Sequence, residues 1–206
     1  MGNFRENIKI YGIMEGRMKM ENKYQVLLDE VRQNFASVVW THKIQEKQAD
    51  IYGENYSGLE SINILAASLT SCGIVSTIFS DNLAAKIIAA LLSFVTLSIT
   101  TYFKSFDIKN MEKQCKDTAN HLVLVRNDLL HIIAEIHMKS RNVDEINQDY
   151  IQIMKRLNKI YVEAPSTTKK AVERAAEALE IDNEYTYTEE EIDHFLPPSL
   201  RGKVEE

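Results

Sequence analysis

The chain has 206 residues and a formal net charge of −6; its mean hydropathy of −0.25 confines any membrane-embedded part to a minority of one or two small domains. No basic stripe with interleaved aromatics is present, so direct nucleic-acid binding has no electrostatic footprint. The two cysteines, Cys72 and Cys115, stand alone; this gives neither a disulfide framework nor a zinc site and fits a reducing compartment.

Residues 1–21 show weak periodicity, with Met14, Met18 and Met20 scattered among charges. They are expected to form a weakly ordered leader or a short surface helix. They lack the continuous apolar run of a secretory signal. Glu6 stands where a myristoylation signal needs Ser or Thr.

A long helix is expected over 24–52. Tyr24, Leu28, Val31, Phe35, Val38, His42, Gln45, Ala49 and Tyr52 alternate steps of four and three, which puts them on one helical seam. Gly53 and Gly58 follow and are expected to punctuate the chain.

Residues 61–80 carry no charge, and neither do residues 87–103. Asp81, Asn82 and Lys86 lie between them and suggest a short polar turn at 81–82. Twenty helical residues span about 30 Å, the thickness of a bilayer's hydrocarbon core. Tyr52, Tyr56, Phe79, Tyr102 and Phe103 bracket the ends, where amphipathic rings settle at a membrane interface. The pattern predicts a helical hairpin that crosses the membrane twice; the competing reading is a hairpin at the centre of a soluble bundle. The spans are rich in hydroxyls. Asn63, Thr70 and Thr77 fall one heptad apart on the first, and Ser93, Thr96 and Thr100 share a face of the second. Such residues either pack the hairpin and bond back to their own helix, or line a water path between several copies.

No proline or glycine lies between the second span and residue 137, so its helix is expected to continue to about that point. Ile108, Met111, Cys115, Thr118, Leu122, Val125, Leu129, Ile132 and Ile136 form its seam. After a break near Arg141–Asn142, residues 143–161 repeat the pattern through Val143, Ile146, Tyr150, Ile153, Leu157 and Ile160. Three seams bury most economically against one another, as an all-α stalk of coiled-coil type. Residues 164–206 form an acidic tail. Ser166 or Thr167 is expected to cap one short helix, and Thr188 with Glu191 has the spacing of a capping box for another. The acid-rich end is either a solvated face or a docking element for a basic partner.

Lys43 and Lys47 precede the first span, and Lys104, Lys109, Lys113 and Lys116 follow the second. The positive-inside rule then places both termini in the cytoplasm. Asn55-Tyr-Ser57 has the form of a glycosylation sequon, but on this topology it lies on the wrong side. Catalytic chemistry is not visible. No glycine loop cradles phosphate, no two histidines share a helix face at metal spacing, and no cofactor is implied. His42 is either a satisfied bundle histidine or a pH sensor or ligand.

Trp40-Thr-His42-Lys43-Ile-Gln-Glu46-Lys-Gln-Ala-Asp50, just before the first span, and Phe195-Leu-Pro-Pro-Ser-Leu-Arg201, near the end, complete the pattern. With the long helix, paired spans and helical stalk, residues 22–163 resemble the SLATT family of bacterial two-span proteins, and the likeness runs on to about residue 200. The resemblance makes Trp40, His42, Lys43 and Glu46 a family-motif candidate. It implies no enzyme, but an effector of antiphage conflict systems in the bacterial inner membrane. Such proteins are thought to form pores as homo-oligomers and to be encoded beside nucleotide synthases, nucleotide sensors or reverse transcriptases. On that view bulky apolar replacements at Thr96 and Thr100 abolish ion leakage. The rival expectation is a non-conducting, membrane-anchored scaffold acting through its stalk.

Overall fold

A computed structural model gives the architecture. It describes the backbone of residues 2–79, 83–197 and 201, and the side chains of 20–75, 83–197 and 201. The expected turn at Asp81–Asn82 lies outside the described residues, as do the side chains of Thr77 and of the leader up to residue 19. Among the described residues the fold is all-helical: α1 Gly2–Phe79, α2 Leu83–Ser105, α3 Ile108–Met138, α4 Val143–Glu163, α5 Lys169–Ala176 running into a π-turn Glu177–Ile181, and α6 Glu189–Phe195.

The three predicted seams meet. Leu28, Val31 and Val38 of α1, Leu122, Val125, Leu129, Ile132 and Ile136 of α3, and Val143, Ile146, Tyr150 and Leu157 of α4 form one buried core. Polar contacts fix its far end. Arg141 bridges Glu135 and Asp149 at 2.6 and 2.8 Å, and the Tyr24 hydroxyl donates to the Arg141 carbonyl at 2.9 Å. The turn between α3 and α4 is closed by Lys139 in a left-handed C-cap, φ 50°, and by Asn142, whose side chain caps α4. Lower down, α5 lies on α1, its Ala171 and Ala175 fully buried.

Three local expectations need correction. First, Gly53 and Gly58 do not interrupt α1, which is helical across both. An isolated glycine costs a helix only about 1 kcal/mol relative to alanine, and the buried neighbours Ala49 and Ile51 hold this turn in place. Second, the helix leaving the second span is broken. The Ile108 amide donates to the Phe106 carbonyl at 2.7 Å across Asp107 at φ −72°, ψ 68°, the geometry of an inverse γ-turn. Asp107 then starts α3, its carboxylate accepting from the Asn110 amide at 3.2 Å. Third, Thr168, not Ser166 or Thr167, caps α5. The capping box at Thr188 and Glu191 is present with both of its hydrogen bonds.

Candidate functional site

Two parts of the molecule carry polar groups where apolar ones would be the default: the hairpin and the lower end of the bundle. Both α1 and α2 contain a segment long and apolar enough to cross a membrane. They pack on each other through small side chains. A Cβ placed on Gly73 would lie 3.1 Å from the Ala89 Cβ, Ala66 is buried, and Tyr56 stacks on Phe103 at 4.8 Å. The outward faces carry Leu65, Leu69, Leu91, Phe94 and Leu97, each more than half exposed. In water that surface would be a severe liability; in lipid it is what a span requires.

The predicted polar positions divide between these two surfaces. Asn63, Thr70 and Thr96 are half-buried along the hairpin seam, whereas Ser93 and Thr100 are exposed. Thr70 donates to the Ala66 carbonyl at 2.8 Å, Thr96 to Leu92 at 3.1 Å and Thr100 to Thr96 at 2.8 Å. Ser68, Ser71 and Ser98 bond back in the same way. These hydroxyls are therefore satisfied within their own helices and cost little to place in lipid. Asn63 differs: its Oδ1 is buried with no hydrogen-bond partner among the described residues.

The second site builds up from α1. Helical spacing places Trp40, half-buried, and His42, Lys43 and Glu46 on the turn that faces α3 and the C-terminal segment. Lys43 is 3 % exposed. Its ammonium donates to Glu46 Oε2 at 2.6 Å and to Glu184 Oε2 at 2.5 Å. Lys47 adds a bond to Glu184 Oε1 at 3.3 Å. Tyr185 donates its hydroxyl to Glu46 Oε2 at 2.6 Å. Its ring lies 4.1 Å from the Lys43 ammonium and 4.8 Å from the Arg126 guanidinium of α3, and 5.5 Å from the His42 ring.

Burial disfavours the Lys43 ammonium, but the hydrogen bonds it donates to Glu184 and Glu46 outweigh this and raise its pKa above the usual lysine value. Burial also works against the Glu46 carboxylate, and there Lys43 and Tyr185 win and lower its pKa. The Lys43 hydrogen bond holds Glu184 below the usual range. Burial, then the bond to Glu46, pushes Tyr185 up to about 12. The cluster is charged and paired at neutral pH. Glu46 and Glu184 remain about 40 % exposed, so breaking one pair costs closer to 1–3 kcal/mol than the ~3–5 of a fully buried pair. His42 is 3 % exposed, and its Nδ1 has no hydrogen-bond partner among the described residues.

A cavity of about 350 Å³ opens beside this cluster, lined by Lys43, Lys47 and Lys116 but also by Glu46, Asp50 and Glu184. The balance of sign selects neither an anion nor a cation. Among the described residues no group of His, Cys, Asp and Glu is placed to hold a metal ion. The motif residues were visible in the sequence. Their partners Glu184, Tyr185 and Arg126 were not, since nothing local ties residue 43 to residue 184.

No curated protein and no solved structure matches the chain. A family does: the SMODS and SLOG-associating 2TM effector domain family 4 (SLATT_4) matches residues 27–191. The match takes in the motif on α1, both spans, the bundle and the segment that carries Glu184 and Tyr185. With an all-helical fold and two span-length helices in place, the chain belongs to this family of two-span effector domains.

Proposed function

We propose that the protein is a non-enzymatic membrane effector of a bacterial conflict system. Several copies open a path through the inner membrane and arrest growth, with both termini in the cytoplasm. Partners encoded nearby, of the nucleotide-synthase, nucleotide-sensor or reverse-transcriptase kind, supply the trigger; no cofactor is needed. The observation that carries this reading is the hairpin, given a family of 2TM effector domains. Its two helices close on each other through Gly73 and Ala89 and leave most of their side chains facing outward. One hairpin encloses nothing, so a conducting state requires neighbours.

The hairpin geometry also sharpens the choice of lining residues. Thr96 sits in the seam, where a larger side chain would disturb packing. Ser93 and Thr100 are exposed and free to face a shared axis. The test is induction of the protein in bacteria, alone and then together with the proteins encoded beside it, with a voltage-sensitive dye as readout. Depolarisation is expected, and a Ser93→Leu/Thr100→Leu variant present at equal level in the membrane is expected to lose it. Equal depolarisation by the variant would remove this face from the path.

The self-satisfied hydroxyls favour a second reading, a non-conducting scaffold anchored by the hairpin. Replacing residues 61–103 by an unrelated two-span hairpin separates the two. A scaffold survives the exchange and a pore does not.

A further inference from the structure

The segment between the π-turn and α6, residues 182–187, is tied down by charge rather than by apolar burial. Asn183 and Tyr185 both hold a left-handed backbone, φ 52° and 76°, a conformation that asparagine tolerates and a bulky residue such as tyrosine avoids. Ile181, Tyr187 and Phe195 around it are largely exposed, and α6 has no buried residue. What fixes the segment is Glu184 on Lys43 and Lys47, and Tyr185 on Glu46 beneath two cations. Segments held by few polar contacts are the first to open locally.

The socket is made of parts that matter to the spans. Lys43, Glu46 and Lys47 belong to α1, which enters the membrane without a break. Arg126 belongs to α3, which is joined to α2 through the turn at Phe106–Asp107. Tyr185 touches both helices, so the strap adds a polar clasp to the apolar core that packs α3 on α1, above a joint in the chain.

We propose that residues 182–187 are an autoinhibitory latch: while Glu184 and Tyr185 occupy the Lys43 socket, α3 is held against α1 and the Phe106–Asp107 joint stays closed. Release of the strap removes a polar clasp that supplements the apolar α1–α3 core, and so loosens α3 on α1 toward that joint. The control of activity rests on the effector reading above; the mechanical coupling does not.

Hydrogen–deuterium exchange on the full-length protein in detergent or nanodiscs tests the coupling. Glu184→Gln keeps the shape and removes the charge. Its strap amides, and those of residues 106–111, are expected to exchange about tenfold faster, the scale of one lost charge-assisted hydrogen bond. Lys43→Met with Lys47→Met removes both of Glu184's cations, and Glu184→Gln added to that pair is expected to change exchange less than about twofold, since the pairs it would break are already gone. The latch is overturned if the strap loosens and residues 106–111 do not, if nothing loosens, or if Glu184→Gln acts equally in both backgrounds. Dye measurements on the same variants address the effector reading separately. Earlier depolarisation by Glu184→Gln supports it, and silence of every variant and of the parent chain counts against conduction while leaving the exchange result to decide the latch.

Discussion

His42 is buried on a charged cluster, and its environment fixes the sign of a pH effect. Burial lowers its pKa from the ordinary 6.5; Glu46 opposes this, and Arg126 and Lys43 reinforce it. The Tyr185 ring packs against it without adding charge near neutrality. The folded state therefore prefers neutral imidazole. Its stability is complete above 6.5 and falls as pH drops from 6.5 toward the lowered value, because the unfolded chain takes up the proton first. Glu46 and Glu184 are also lowered, from 4.5; their contribution is present above 4.5 and is lost only at still lower pH. Thermal unfolding in detergent is expected to show two acid-side declines, one beginning near 6.5 and one below 4.5. His42→Leu should flatten the first and keep the second. A first decline that survives in the variant would move its origin to another group.

At the scale of elements, the two glycines of α1 that behave differently make a matched test. Gly58 is exposed, with open space where a Cβ would go, so Gly58→Ala is expected to stabilise the helix by about 0.5–1 kcal/mol. Gly73 meets Ala89 across the hairpin. Gly73→Leu overpacks that contact and is expected to cost about 1–3 kcal/mol. Melting temperatures in one detergent should move in opposite directions; a gain from Gly73→Leu would mean that the hairpin is not closed there. The elements themselves were largely legible in the sequence. Seam residues such as Val31, Leu122 and Ile146 are fully buried, because a three–four repeat fixes a helix face whatever covers it. The break at Phe106–Asp107 was not legible. The apolar repeat resumes in phase after it, and the only cue was an aspartate able to cap the Asn110 amide, a choice that local hydrogen bonding makes against helix propensity. The site followed the same division: Lys43 and Glu46 share one turn and could be paired on paper, whereas Glu184 reaches Lys43 from 141 residues away through tertiary packing alone. The acidic tail, expected as a solvated face or a dock for a basic partner, places Glu184 on the chain's own lysines.

At the scale of the molecule, α1 governs the layout. Its 78 residues make a rod of about 117 Å at 1.5 Å per residue, far longer than the ~30 Å a bilayer core takes up. The bundle therefore extends well beyond the lipid, and the side on which it stands decides which partners can reach it. Lys43 and Lys116 pair with Glu184 and Glu112 in the fold, but orientation is set during insertion, so each flanking lysine still counts toward the proposed cytoplasmic placement of the bundle. The two native cysteines make this testable in the intact protein. Cys115 is fully buried, and burial pushes its thiol up to about 11, so little reactive thiolate forms. Cys72 lies within the apolar segment of α1, out of reach of a reagent confined to water. A membrane-impermeant maleimide should therefore leave the parent chain unlabelled. Leu83→Cys, at the exposed start of α2, should label in intact cells. Glu180→Cys, exposed on the π-turn, should label only after the membrane is opened. The reverse pattern would put the Lys43 socket and its strap outside the cell, beyond the reach of any cytoplasmic trigger, and the effector reading would then need an external one.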